Sequence, residues 1–175
     1  MAKKMTYKTE AAKEKRADFE KSSVCMDELI PFICERLAAG QSIKFSPRGV
    51  SMLPMLRQSG DSVVLSPHPQ RLKKYDLPLY RREDGSYVLH RVIRVGKSYT
   101  CVGDNQFEYE RGIAHEQIIG VVTAFIRDGK EHSVDEFRYR VYCRFRHFSR
   151  PARRVYRALK SRTNYIIKKI FCKKR

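Results

Sequence analysis

The chain has 175 residues and a formal net charge of +18, from 37 Lys and Arg against 19 Asp and Glu. This length fits one ordinary domain with extensions, and the core that it can bury is adequate. Its five cysteines are odd in number, far apart and without a C-x-x-C pair, which argues against a disulfide framework or a zinc site. We therefore expect reduced thiols, and we expect neither a metal nor an organic cofactor.

The positive charge is concentrated at the carboxyl end. No acidic residue follows Glu136, and residues 137–175 hold 15 of the basic residues. The first 136 residues are close to neutral, with 22 basic against 19 acidic side chains. This asymmetry predicts a polyanionic partner for the tail, either an acidic lipid surface or nucleic acid, or else a solvated arm.

No segment of the sequence predicts a membrane span. Even the apolar run at residues 118–126 ends at Arg127, well short of the roughly 18 to 20 residues that a spanning helix needs. Residues 1–24 are charged and lack the apolar stretch of a secretory signal, so we expect a flexible extension there. We expect a cytoplasmic protein, which could lie peripherally at the cytoplasmic face of the membrane if the tail binds lipid.

The predicted elements begin with a helix over residues 26–39. Its apolar residues recur at helical spacing, Pro31 is early enough for a first turn, and Gly40 is placed to end the helix. Short β-prone runs follow at residues 43–45, 62–65, 79–81, 87–95 and 118–122, with Asp84 and Gly85 as a hairpin turn. We expect a mainly β, α+β domain that ends near Gly129 and Lys130.

The stretch at residues 49–56 places one serine between a glycine and a proline in an otherwise apolar octet. Gly49 and Pro54 can hold Ser51 on a tight turn with its N–H directed at a ligand, a geometry that suits a nucleophile. A strand end with a hydrogen-bonded hydroxyl is the alternative. Downstream, the two-residue period of residues 87–95 puts His90 on the face of Val88 and Val92. His90 is therefore expected to be at least partly buried, as a base or as a structural histidine.

Four motifs occur in a characteristic order between about residues 40 and 130. They are Ser51-Met52-x-Pro54, His90-Arg91-Val92, Gly103-Asp104-Asn105 and Ile119-Gly120-Val121-Val122. In this order they resemble the type I signal peptidase clan of serine peptidases, which shares its fold with self-cleaving repressors. Those repressors use a lysine base and carry a DNA-binding helix-turn-helix, and neither signature is found here. With histidine at position 90, the chain is similar to the Ser-His branch of the clan.

The resemblance implies a small β-rich catalytic domain with Ser51 as nucleophile and His90 as general base. It offers two acids, Asp104 in the Gly-Asp-Asn motif and Glu110, which stands where the Ser-His branch has an aspartate. Either carboxylate could fix the imidazole tautomer, and the choice is open at this stage. The Ser51 N–H is the expected oxyanion donor, because Gly49 has no side-chain hydroxyl to offer. Peptide substrates would bind as extended strands.

The carboxyl-terminal residues 151–175 have an apolar helical period flanked by Arg and Lys, which predicts a basic amphipathic helix. Such a helix can lie on an anionic membrane, whereas the alternating Arg and aromatic residues at 138–146 favour nucleic acid. The predicted organisation is an extension at 1–24, a catalytic domain at 25–132 and a basic helical tail at 133–175. The function predicted is a serine endopeptidase that processes a leader-like peptide. The alternative is a catalytically idle module that docks through its tail.

Overall fold

The computed structural model of the protein describes residues 26–58 and 60–172. The chain divides into two compact units, Met1–Glu35 and Arg36–Arg175. The extension predicted at residues 1–24 lies outside the described residues. The predicted division into extension, catalytic domain and tail stays a prediction.

The predicted amino-terminal helix is confirmed as α1, Met26–Ala38. It ends at Gly40, whose φ of +74° is a conformation that glycine adopts readily and whose N–H donates to the Leu37 carbonyl at 3.0 Å. The expectation for Pro31 was wrong in one respect, because this residue lies inside the helix and not in a first turn.

Two antiparallel sheets form the centre of the described structure. The strands are β1 Ile43–Phe45, β2 Ser62–Ser66, β3 Pro78–Arg81, β4 Tyr87–Leu89, β5 Arg91–Val95, β6 Tyr99–Val102, β7 Glu110–Ile113, β8 Ile118–Arg127 and β9 Lys130–Ser133. The larger sheet has the strand order β1-β2-β8-β3-β4, and β9 pairs with the second half of β8, past the residues that pair with β3. The smaller sheet has the order β5-β6-β7. A short 3-10 helix, His115–Gln117, precedes β8.

The predicted hairpin is confirmed, since β3 and β4 pair antiparallel around Gly85, which has a φ of +85°. The strand predicted over residues 87–95 is broken at His90 instead of continuing through it. Residues before the break belong to the larger sheet and those after it to the smaller one. Both Leu89 and Arg91 are buried beside His90, so the simple two-residue alternation fails at this point. The expected burial of His90 is confirmed.

The core lies between the two sheets and combines side chains from both. One cluster of buried residues consists of Leu72, Tyr80, Val92, Tyr99, Cys101, Ile113, Ile118 and Val121. Burial of these apolar side chains is the main favourable contribution to the stability of the domain. The core fixes β3, β5, β6 and β7, which carry or flank the candidate site residues.

The fold continues past Gly129 and Lys130, where the sequence suggested that it would end. Strand β9 pairs with β8, and helix α2, Phe137–Phe148, buries Tyr139 and Cys143. Helix α3, Arg150–Cys172, follows directly and matches the predicted basic helix. The predicted α+β, β-rich class with a helix before the sheets and a basic helix after them is confirmed. No helix within residues 26–58 and 60–172 combines the length and the apolar character that crossing a bilayer requires.

Candidate active site

Ser51 begins the turn of residues 51–55, as the sequence predicted. Gly49 has a φ of +105°, a conformation that side-chain-bearing residues rarely adopt, so glycine is needed where the chain enters the turn. The Ser51 carbonyl accepts a hydrogen bond from Asn105 N–H at 2.7 Å, and Asn105 Nδ2 donates to the Val50 carbonyl at 3.1 Å. These bonds attach the serine turn to the Gly103-Asp104-Asn105 motif.

Gly103 is the point at which three of the four motifs meet. A Cβ at this position would lie 2.7 Å from the Ser51 carbonyl oxygen and 3.1 Å from His90 Nε2. It would also lie 2.9 Å from Gln106 Oε1. Only glycine fits this space, because the shortest of these distances is one that Cβ atoms essentially never show. His90 Nε2 and the Ser51 carbonyl therefore both lie close to Gly103.

Glu110 lies on the opposite side of the imidazole. Its Oε1 is 3.0 Å from His90 Nδ1, and the His90 side chain is 1% exposed while that of Glu110 is 22% exposed. Two further groups hold the carboxylate in place. Tyr80 Oη donates to Glu110 Oε2 at 2.7 Å, and Arg82 binds both carboxylate oxygens, with Nε 2.9 Å from Oε2. The carboxylate can therefore accept a hydrogen bond from a protonated Nδ1. In that tautomer Nε2 carries no proton and can accept one.

Burial of His90 favours the neutral imidazole. Burial is the largest effect on His90 and lowers its pKa below the ordinary 6.5, and the Arg82 charge acts in the same direction against the opposing attraction of Glu110. Burial alone would raise the pKa of Glu110, but hydrogen bonds from Arg82 and Tyr80 outweigh it and lower that pKa. At neutral pH the pair is an anionic carboxylate beside a neutral histidine, which is the resting state of a general base.

Asp104 lies in a different, fully buried network. It forms a two-pronged ion pair with Arg91, with Nε to Oδ1 at 2.9 Å and Nη2 to Oδ2 at 2.7 Å. Tyr142 Oη also donates to Oδ2 at 3.0 Å. Burial alone would raise the pKa of Asp104, but the charge and hydrogen bonds of Arg91 prevail and lower it. Asp104 thus ties the loop after β6 to β5 and α2, and within the described part of the chain its carboxylate forms no hydrogen bond with His90.

The two carboxyl-terminal helices contact the same loop through arginines. Arg146 donates to the Asp104 carbonyl, Arg153 donates to it at 3.2 Å, and Arg150 reaches the Gly103 carbonyl at 3.4 Å. Arg157 donates to Asn105 Oδ1 at 2.8 Å, and its guanidinium lies 4.7 Å from the centre of the Phe107 ring. The first half of α3 therefore packs on the loop that carries Gly103 and Asp104.

Ser51 and His90 line one cleft of about 210 Å³. A larger cleft of about 790 Å³ is lined by residues 105–113, which include Glu110. The two clefts share Arg82 and Gln106 in their walls. Among the described residues, no hydrogen bond joins the Ser51 hydroxyl to His90. Catalytic hydrogen bonds are often long before substrate binds, so the shared cleft is the relevant geometry. The Ser51 N–H also makes no hydrogen bond within the described part of the chain, as an oxyanion donor requires.

The structure thus brings Ser51, His90 and Glu110 to one region and places Asp104 in the core behind it. Sequence reasoning missed Tyr80 and Arg82, which fix the carboxylate, and Arg91, which neutralises Asp104. Tyr80 lies on β3 and Arg82 directly after it, and nothing in the sequence indicated their contact with Glu110, which is 28 to 30 residues further along the chain. Arg91 gave no signal beyond its place next to His90, because its partners lie 13 to 52 residues away, on both sides of it in the sequence.

Within residues 26–58 and 60–172, no group of three or more His, Cys, Asp or Glu side chains is arranged to hold a metal ion.

Comparison with known proteins adds neither a family nor a function to this geometry. No family model, no curated protein and no solved structure matches the chain. The resemblance to the signal peptidase clan therefore depends on the four sequence motifs alone.

Proposed function

We propose that the chain is a serine endopeptidase of the signal-peptidase-like kind, with Ser51 as nucleophile, His90 as general base and Glu110 as the residue that orients His90. The observation that supports this most strongly is the 3.0 Å approach of Glu110 to His90 Nδ1, on the side of the ring away from the serine turn. A carboxylate in this position fixes the tautomer that leaves Nε2 free to accept a proton.

The reaction follows from this arrangement. As Ser51 Oγ attacks the scissile carbonyl carbon, its proton passes to His90 Nε2, and the imidazolium that forms is stabilised by Glu110. The same proton then goes to the leaving amine as the C–N bond breaks, which yields an acyl-enzyme. Water, deprotonated by His90, attacks the ester and releases the carboxylic product and Ser51. The unpaired Ser51 N–H is directed at the developing oxyanion.

The substrate that we propose is a peptide bound as an extended strand. Among the described strands, β4 pairs only with β3, so its other edge is open. Tyr87, Val88 and Leu89 of this strand line the cleft that contains Ser51 and His90. An extended peptide added to this edge would pass the nucleophile, with main-chain hydrogen bonds supplying affinity. Removal of a leader from a peptide is the processing role that fits this mode of binding.

The test is cleavage of a peptide library by the full-length protein, read by mass spectrometry. Ser51→Ala and His90→Ala should each lower the rate by at least about 100-fold, because each removes a group that acts in the transition state. Ser98→Ala and His68→Ala are matched controls outside the cleft and should keep wild-type rates. Equal cleavage by the wild type and both site variants would refute the proposal.

Silence of the wild type across the library would favour the second candidate, a catalytically idle binding module. The observation on its side is the lack of a Ser51–His90 hydrogen bond in the structure. Binding of both the wild type and Ser51→Ala to anionic vesicles or to nucleic acid, without cleavage of any library peptide, would establish that alternative.

A further inference from the structure

Helix α2 has an exposed stripe of large apolar side chains. Phe137, Val141, Phe145 and Phe148 are 78%, 46%, 66% and 73% exposed. At about 100° per residue these four positions fall within roughly 80° of arc, so they form one continuous face. Exposed apolar side chains scattered singly are ordinary, but a single stripe of this kind marks an interaction surface.

The opposite face of α2 is fixed in the fold. Tyr139 and Cys143 are buried and accept hydrogen bonds from Arg91 Nη1 at 2.8 and 2.9 Å. The helix therefore cannot turn to bury its phenylalanines without breaking these contacts. The exposed face is a property of the folded domain and not of a loose tail.

Basic residues lie on both sides of the apolar stripe. On the ideal helix, Arg140 and Arg144 flank one edge and Arg138 flanks the other, and all three are exposed. No acidic residue follows Glu136 anywhere in the sequence. The charge around the stripe is therefore complementary to an anionic partner.

Helix α3 repeats this division of faces. Arg153 and Arg157 point to the loop at residues 104–105, whereas Val155 and Leu159 lie on the other side of the helix and are 60% and 57% exposed. Exposed Arg154 and Arg162 stand near this second stripe. Two successive helices thus present apolar side chains edged by arginine and lack acidic residues.

We infer that the exposed apolar and basic faces of α2 and α3 dock on the surface of an anionic lipid bilayer. An interfacial helix inserts its apolar side chains at the boundary between headgroups and acyl chains, while Lys and Arg bind the headgroups. Both requirements are met here. The inference does not depend on the proposed peptidase activity, because it uses a surface outside the cleft of Ser51 and His90.

Nucleic acid is the competing partner for a basic helix with aromatic residues. Binding to single strands uses aromatic rings as stacking platforms for bases. Val141, Val155 and Leu159 have no aromatic face to offer, yet they share the stripes with Phe145 and Phe148. In addition, two aromatic residues of the alternating run at 138–146 are not exposed for stacking on bases. Tyr139 contacts Arg91, and Tyr142 donates a hydrogen bond to Asp104. The structure therefore favours lipid.

The experiment is flotation of the full-length protein with vesicles of phosphatidylcholine alone or of phosphatidylcholine with phosphatidylserine. The wild type should float with the anionic vesicles and not with the neutral ones, and added salt should weaken binding. The double variant Phe145→Ser with Phe148→Ser should lower the partition coefficient by at least about tenfold. The matched pair Phe145→Leu with Phe148→Leu keeps the apolar surface and should float like the wild type.

Charge is tested separately. Arg138→Gln with Arg144→Gln should weaken flotation, whereas Arg94→Gln with Lys97→Gln, at exposed positions on and after β5, should not. Circular dichroism would show that each variant is folded. Failure of the wild type to float, equal flotation with neutral vesicles, or equal loss in the serine and leucine pairs would overturn the inference. Retention on single-stranded RNA without flotation would replace lipid by nucleic acid.

Discussion

His90 and Arg91 are neighbours in sequence, yet they belong to two charged networks of different character. His90 meets Glu110 at the wall of a cleft, where the carboxylate is partly exposed and also held by Tyr80 and Arg82. Arg91 meets Asp104 in a region where both side chains are fully buried. The break between β4 and β5 sends the two side chains to these separate places.

The difference indicates what each network does. A histidine beside an oriented carboxylate, in contact with a cleft, can exchange protons with a substrate. A fully buried and doubly bonded ion pair cannot reach a substrate, and it connects β5, the loop after β6 and α2. We therefore assign Glu110 to the proposed chemistry and Asp104 to the architecture. The following predictions test that division.

The largest effect on stability is expected from Asp104→Asn. This change leaves the buried Arg91 charge without its counter-ion, which should lower the free energy of unfolding by about 3 to 5 kcal/mol. Urea denaturation followed by circular dichroism measures it. Asp128→Asn is the matched control, because the ion pair of Asp128 with Arg57 is exposed to solvent and should contribute little to stability. Similar losses in both variants would contradict the architectural role of Asp104.

Glu110→Gln should affect peptide cleavage strongly and stability only weakly, the reverse of what we expect for Asp104→Asn. The amide can donate to His90 Nδ1 and so favour the tautomer in which Nε2 carries the proton and cannot accept one from Ser51. We expect the rate of peptide cleavage to fall by a factor on the order of 100 or more and the free energy of unfolding to fall by about 1 kcal/mol. Cleavage rates and urea denaturation curves, measured on the same preparation, test both expectations. An unchanged rate would remove Glu110 from the site.

The pH dependence should follow His90. Because the neutral imidazole is the base and burial lowers its pKa below 6.5, kcat/KM should be constant at neutral pH and fall only as the pH drops through that lowered value. The positive charge of Arg82 also lowers the pKa of His90, so Arg82→Gln should move the acid limb to higher pH. A profile that stays flat down to the pH at which the protein unfolds would argue against a histidine base.

The smallest effect is expected at the contact between α3 and the loop that carries Gly103 and Asp104. Arg157→Gln removes the bond to Asn105 and the cation–π contact with Phe107, which should lower the free energy of unfolding by about 0.5 to 1 kcal/mol. Arg154→Gln alters an exposed neighbour on the same helix and should be neutral. Thermal unfolding of the two variants provides the comparison, and equal effects would mean that Arg157 contributes through charge alone.

Much of the fold could be predicted from local patterns, because those elements depend on local chemistry. Gly40 ends α1, Gly85 allows the hairpin, and the apolar run after Gln117 forms β8. The break at His90 could not be predicted, since it depends on the pairing of β5 with β6 and on burial of Arg91 by groups far along the chain. The continuation of the fold past Gly129 was missed for the same reason, as α2 is anchored by Tyr139 on Arg91.

The different surroundings of Asp104 and Glu110 are visible only in the three-dimensional structure. The sequence left both acids open, because Asp104 belongs to the Gly-Asp-Asn motif and Glu110 stands where the Ser-His branch of the clan that the chain resembles has an aspartate. Neither spacing nor residue type reveals that Arg91 occupies one carboxylate completely. The turn at Ser51 and the burial of His90 were more accessible to prediction, since the glycine and proline around Ser51 and the apolar neighbours of His90 are local features.

The most direct test of the account is a pair of double-mutant cycles on peptide cleavage. Groups that act as one catalytic unit are strongly non-additive, whereas independent groups add. The cleavage rate of His90→Ala combined with Glu110→Gln should therefore be no lower than that of His90→Ala alone. For His90→Ala combined with Asp104→Asn, the free-energy costs of the two single changes to cleavage, measured on folded protein, should add. Additivity for Glu110 together with non-additivity for Asp104 would contradict the account and make Asp104 the partner of His90.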